Sequence, residues 1–219
     1  MNRTPWLVCL FALWNLTLFA QAGKLPRTVH TTERSGIHVP PQSTPEALEI
    51  IYSNLGKEQT DLYNDSSGWL ESGPNSDEGG PFFDAMPFTP KSDSHVSQAR
   101  VAMEYGGSGA NQVNLSIYGD SGGVPGTLLA GPVTVTNLPD VGTCCTLAIA
   151  DFAPIAVNGG TQYWVVADTP LSGVGSDFFG VWDYVPRPTF PQAFSQGFGW
   201  AGFNGTPEEA AGAVLGKIP

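Results

Sequence analysis

Residues 111–118 read NQVNLSIY, and the apolar Val113, Leu115 and Ile117 alternate strictly with Asn114, Ser116 and Tyr118. Successive side chains of an extended strand point to opposite faces, so the stretch predicts one face turned to a core and the other to solvent. The same period recurs along the chain. Residues 99–105 set Val101, Met103 and Tyr105 opposite Arg100, Ala102 and Glu104. Val133 and Val135 alternate with Thr134 and Thr136, and Leu147 and Ile149 with Thr146 and Ala148. TQYWVVAD (161–168) and DFFGVWDY (177–184) are aromatic and β-branched runs of strand length.

Between these runs lie turn-forming clusters, drawn from 27 Gly and 19 Pro, residues that interrupt helices. No alternation of strand and helix marks a parallel sheet. The pattern predicts an all-β protein, an antiparallel β-sandwich of jelly-roll-like form over residues 47–219. Helix is expected at one place. Thr206-Pro207-Glu208-Glu209 has the form of a capping box with Pro at the first helical position, and Gly212 limits it to a turn or two. A short strand, Ala213 to Leu215, should follow. Glu46 to Ile51 is compatible with helix, but Ile50-Ile51-Tyr52 favours a strand.

The first 22 residues have the layout of a secretory leader. A basic start containing Arg3 precedes the apolar run Pro5–Ala20, and Ala20-Gln21-Ala22 supplies a small-x-small cleavage pattern. Cleavage is expected between Ala22 and Gly23, with secretion as the outcome. Residues 23–46 follow as a flexible arm rich in Pro, Ser and Thr, whose His30 and His38 lack the neighbouring Cys or paired carboxylates of a metal site. The net charge of −11 argues against nucleic acid as a partner, because a phosphate backbone calls for a basic face. Beyond the leader no stretch is apolar for long enough to span a membrane.

Cys144 and Cys145 are the two cysteines beyond the leader, and they are adjacent. Neighbouring residues of a strand point apart, and their Cα atoms are closer than the usual disulfide range. A vicinal disulfide, a pair of free thiols and pairing between two molecules all remain open.

Gly119-Asp120-Ser121-Gly122-Gly123 is spelled like the nucleophile loop of chymotrypsin-type proteases and also fits G-x-S-x-G. A nucleophile elbow needs a strand before it and a helix after it. Here Val124-Pro125-Gly126 follows, which opposes a helix, and then comes the strand-like TLLAGPVTV. A serine nucleophile also needs a histidine base. The chain offers His30, His38 and His95, none in a recognisable catalytic setting. The stretch therefore reads as a turn joining two strands, with Asp120 and Ser121 bonding back to the backbone and the glycines supplying positive φ. No catalytic residue is assigned, and a secreted serine hydrolase using Ser121 is the alternative.

Two further candidate sites come from composition. Calcium takes six to eight oxygen ligands, and the loops DLYNDSSGW and PNSDEGG offer Asp61, Asp65, Asp77 and Glu78. Calcium is the single cofactor considered. Trp69, Trp164, Trp182 and Trp200 lie in or beside strand and turn segments. Exposed, they would form an aromatic platform for sugar rings; buried, they would belong to the core.

Several segments in a fixed order carry a family resemblance. They are YSNLG (52–56), Gly68-Trp69, AMPFTP (85–90), VNLSIYGDSGGVPGTLL (113–129), Cys144-Cys145, GGTQYWVVA (159–167) and VLG (214–216). With them the chain resembles secreted bacterial β-sandwich proteins of the choice-of-anchor type, often found with a PEP-CTERM sorting tail. The resemblance implies an extracellular setting, assigns no enzymatic activity, and makes the D-S-G-G-x-P-G stretch a turn. After Gly216 stand only Lys217-Ile218-Pro219, without the sorting signature, which favours free secretion over anchoring. The expected function is a non-catalytic extracellular module that binds or structures surface polysaccharide or matrix. A purely structural, self-associating matrix protein is the remaining alternative.

Overall fold

The structure is a computed structural model that describes residues 28–30, 48–55, 63–143, 146–186, 192–203 and 208–219. Among these residues every regular element is a strand, and every paired strand is antiparallel to its neighbours. The chain is an all-β antiparallel sandwich.

Three sheets build it. The strands β4 (Phe83–Phe88), β7 (Gln112–Asp120), β8 (Pro125–Thr136), β10 (Tyr163–Asp168), β12 (Gln192–Ser195) and β13 (Trp200–Phe203) form a six-stranded sheet. Its order is β13-β12-β4-β10-β7-β8. A second sheet contains β1 (Thr28–His30), β3 (Asn64–Ser72), β11 (Phe179–Pro186) and β14 (Glu208–Ala210) in that order, with β6 (Met103–Tyr105) also paired to β11. The third has the order β2 (Glu49–Ser53), β15 (Gly212–Lys217), β5 (Ser94–Val101), β9 (Ala148–Val157).

One core joins the three. Met86, Phe88, Val113, Leu115, Ile117, Tyr163, Val165 and Ala167 line the inner face of the six-stranded sheet. Trp69, Met103 and Trp182 from the second sheet pack into the same cluster, as do Ile51, Val96, Val101 and Val214 from the third. Burial of each large side chain of this kind stabilises the fold by about 1.5–3 kcal/mol.

The second and third sheets are continuous at a corner. Residues 99–105, expected as one strand, divide at Ala102: β5 pairs with β15, and β6 pairs with β11. The chain makes the same crossing at Ala211, between β14 and β15. Three backbone bonds close the junction. Ala102 N–H donates to Ala211 O (3.0 Å), Asp183 N–H to Ala102 O (2.9 Å), and Ala211 N–H to Asp183 O (2.8 Å). Both faces of this stretch are consequently covered, and Arg100, Ala102 and Glu104 are buried with their neighbours.

Two further expectations are corrected. Glu208-Glu209-Ala210 is strand rather than helix, because Tyr184 and Val185 of β11 pair with Ala210 and Glu209. Glu209 is buried and accepts a hydrogen bond from Tyr52 Oη, so tertiary contacts override the local capping signal. On β7, Val113, Leu115 and Ile117 face the core as expected, but Asn114 and Ser116 are buried too. The register between β7 and β8 shifts between Leu115 and Ile117. That bulge lays Gly131 against the Ser116 side chain, so no Cβ would fit at 131.

Candidate functional site

Antiparallel pairing gathers particular loops at particular ends. In the β4 register Ser195 stands opposite Phe83, and Val166 and Ala193 both stand opposite Ala85. The chain therefore leaves β10 after Asp168 and leaves β12 after Ser195 at the same end of the sheet, where it also enters β4. Three connections meet there: 73–82, 169–178 and 196–199. Loop 73–82 is rich in Gly, Pro, Asn and Ser, loop 169–178 in Gly, Ser and Pro, and loop 196–199 contains two Gly, residues that form turns through permissive φ or side-chain bonds to the backbone.

Hydrogen bonds tie these loops together. Asn75 donates to Ser176 twice, from its backbone N–H to the carbonyl (2.8 Å) and from Nδ2 to Oγ (2.9 Å). Gly73 N–H donates to Phe178 O (2.9 Å), and a Cβ at Gly73 would collide with the Ser176 carbonyl. Gln112 Nε2 reaches Val174 O (3.1 Å), and Asp177 Oδ1 accepts from Ala110 N–H (3.1 Å). Pro81 lies against Gly197, which joins the third loop to the first.

The loops expose apolar side chains. Phe198 is 88 % exposed, Val174 75 % and Leu171 64 %; every other large apolar side chain among the described residues that is exposed at all is less so. Phe198 stands on one side of the 73–82 loop, and Leu171 and Val174 on the other. Exposed apolar side chains concentrated at one place mark an interaction site more often than scattered ones do.

Carboxylates line the strand ends beneath. Glu71 near the end of β3 turns toward β4, and its Oε1 accepts from the Asp84 backbone N–H at 2.9 Å. Its Oε2 is buried without a hydrogen-bond partner. Burial holds the Glu71 carboxyl well above the usual carboxylate range, and the charges of Asp84 and then Asp168 push it in the same direction. Burial likewise raises Asp84 well above its ordinary value. Asp168, at the end of β10, is pushed up to about 6 by burial, partly offset by a hydrogen bond from Asn114 Nδ2 (3.2 Å). Asn114 is itself fixed, because Thr134 Oγ1 donates to its Oδ1 (2.8 Å). The charged side chains of the loops are acidic as well: Asp77 and Asp177 are exposed and Glu78 is half-buried.

The residues singled out in the sequence are dispersed. Asp77 and Glu78 belong to this end, whereas Asp61 and the side chain of Asp65 lie outside the described residues. Among the described residues no three His, Cys, Asp or Glu side chains stand together as ligands for one metal ion, Glu71, Asp84 and Asp168 included. Cys144 and Cys145 also lie outside the described residues.

The tryptophans do not form a surface platform. Trp69 is buried against Tyr184 and Phe203, with ring centroids 5.9 and 5.6 Å away. Trp182 is buried in the same core and donates from Nε1 to Ala211 O (2.9 Å). Trp164 faces the other side of the six-stranded sheet, fully enclosed with Ala85, Val166 and Ala193 under Tyr118, Val124 and Trp200. Trp200 is only half-buried, as one wall of that enclosure. Indole is the largest apolar side chain, and three of the four are used to fill the fold.

Ser121 is exposed in the short connection between β7 and β8, at the end of the sandwich away from the exposed apolar loops. Its N–H donates to Val124 O (2.9 Å), Gly123 N–H donates to Asp120 Oδ2 (3.2 Å), and Gly122 and Gly123 have φ of 69° and 88°. His95 is on β5, in a different sheet from this hairpin. Phe198, Leu171 and Val174 went unnoticed in the sequence. Their signal was present in QGFGW and PLSGVGS, where bulky apolar residues sit among glycines and serines that cannot bury them locally.

Comparison of the chain with models of protein families, with curated proteins and with solved structures finds no match in any of the three. Among the described residues no helix is long and apolar enough to cross a membrane.

Proposed function

We propose that the chain is a secreted, non-catalytic β-sandwich module of the choice-of-anchor type, which binds or structures extracellular polysaccharide or matrix through its 73–82, 169–178 and 196–199 loops. The observation that carries the reading is the placement of Phe198, Val174 and Leu171, the most exposed large apolar side chains described, on loops at one end of the sandwich. A rigid sheet scaffold presenting variable loops is a common design for recognition. The leader-like first 22 residues support an extracellular setting.

A glycan-array screen of the purified protein beside an F198A/L171A/V174A variant tests the reading. Binding by the parent and at least about tenfold weaker binding by the variant is the expected result, since losing apolar contacts worth about 1.4 kcal/mol changes affinity by that factor. A blank array with concentration-dependent self-association would replace the reading with a structural matrix role. Labelling of Ser121 by a fluorophosphonate in the folded protein would replace it with a hydrolase.

A further inference from the structure

We propose that the outer edge of β8 is a self-association surface, where two copies of this chain pair β8 with β8 and continue the six-stranded sheet across a two-fold axis. The proposal is independent of what the loop end binds.

β8 is the last strand of its sheet and, with 12 residues, the longest strand described. Its one described partner is β7. The ladder between them fixes where the unpaired backbone groups point. Asn137 N–H donates to Asn111 O (3.3 Å) immediately beyond the strand end. Hydrogen-bonded and non-hydrogen-bonded pairs alternate along an antiparallel ladder. Val135 is therefore bonded to Val113, whereas Thr136 and Thr134, opposite Gln112 and Asn114, turn their N–H and C=O groups away from β7. Both threonines are exposed. An edge of this kind is a template for another strand.

Charge selects the occupant. Long edges are ordinarily guarded by charged side chains, prolines or bulges. On β8, Pro125, Pro132 and the register shifts against β7 interrupt the first two thirds of the strand, and Val133 to Thr136 remain regular. Residues 121–139 contain no Asp, Glu, Lys, Arg or His. The edges of the third sheet, β2 and β9, carry Glu49 and Asp151. With a net charge of −11, two copies repel one another over acidic surface, and an uncharged edge lets them meet without opposing like charges.

The sequence of the edge suits its own copy. A two-fold axis at Val135 sets Thr134 against Thr136 of the second copy, and each such pair exchanges both of its N–H···O bonds. The facing threonines then form cross-strand pairs on one face of the extended sheet and the two Val135 side chains on the other. Leu128 and Leu129 lower on the strand are exposed, as are Ala153, Pro154 and Ala156 on β9, which runs beside β8 without pairing to it. The hairpin that carries Phe198 is at the opposite edge of the sheet, so the dimer leaves it open.

Sedimentation velocity over a concentration series, with amide hydrogen exchange followed by NMR at low and high concentration, tests the proposal. A monomer–dimer equilibrium is expected, in which the Thr134 and Thr136 amides gain protection as the dimer forms, while those of Val133 and Val135 are protected throughout. Thr136→Pro deletes an outward N–H and spares the ladder to β7, and Thr136→Lys puts like charges on the paired edges. Each should weaken dimerisation about tenfold or more, with thermal unfolding of the monomer little changed, whereas Thr136→Ser and Phe198→Ala should dimerise like the parent. A monomer at every concentration would overturn the proposal. So would a dimer that protects amides of another edge, one that Thr136→Pro and Thr136→Lys leave equally tight, or one that Phe198→Ala abolishes.

Discussion

The indole Nε1–H of Trp164 donates to Asp120 Oδ1 across 2.9 Å, joining the start of β10 to the last residue of β7. The same oxygen accepts from Gln162 Nε2 at 2.9 Å, and the other carboxylate oxygen holds the Gly123 amide. Asp120 is the acid of the GDSGG stretch. Its carboxylate anchors a hairpin whose Val124 helps roof the tryptophan.

Removing that anchor should be costly. Asp120→Ala leaves the Trp164 and Gln162 donors without their acceptor, and a loss of about 1–3 kcal/mol is expected. Asp120→Asn retains an acceptor oxygen and should recover part of it. Ser121→Ala, an exposed change, should stay within about 0.5 kcal/mol. Urea unfolding of the three variants measures the order; equal losses for Asp120→Ala and Ser121→Ala would contradict it.

Stability should depend on pH with a particular sign. Asp168 is raised from 3.8 to about 6 in the fold, and Glu71 and Asp84 are raised as well. The folded state therefore holds protons that the unfolded chain has already released. The contribution is fully present below the ordinary carboxyl values and is lost as pH rises through the folded ones. For Asp168 the loss falls between about pH 4 and 6 and is on the order of 3 kcal/mol at most. Denaturant midpoints should fall as pH rises over this window and beyond. Asp168→Asn should flatten the first part and Glu71→Gln the later part, with E71Q the more stable protein at pH 8. An unchanged profile in both variants would refute the assignment.

The loop end depends on close backbone packing. Gly73→Ala introduces a methyl group against the Ser176 carbonyl, and a loss of about 1–3 kcal/mol is expected from overpacking. Hydrogen exchange should show residues 169–178 losing protection, while β5 and β15 keep theirs. Protection lost evenly over the whole chain would speak against a local effect.

Core and surface aromatics should separate cleanly. Phe198→Ala should leave stability within about 0.5 kcal/mol, because the side chain is mostly in solvent. Trp182→Ala should remove about 3–5 kcal/mol, since it empties a buried site and removes one of the two hydrogen bonds to Ala211 O, that from Ala102 N–H remaining. Thermal unfolding distinguishes the two directly.

What the chain could declare locally, it declared. Alternation in NQVNLSIY, TQYWVVAD and DFFGVWDY, set between glycine and proline turns, encodes strands because side-chain direction depends only on near neighbours. The GDSGG turn was legible for the same reason, since the bonds that close it, Ser121 N–H to Val124 O and Gly123 N–H to Asp120 Oδ2, run between residues three apart. The tertiary structure decided what lies beyond each strand's own pattern. It split residues 99–105 at Ala102, drew Glu208–Ala210 into a sheet beside β11, and buried Trp69, Trp164 and Trp182 rather than displaying them. It also brought Phe198 to the same end as Leu171 and Val174, and set Glu71 against Asp84 from a facing sheet. Each of these outcomes depends on which layer covers a strand's second face and which loops share an end, and contacts between segments far apart in sequence fix both.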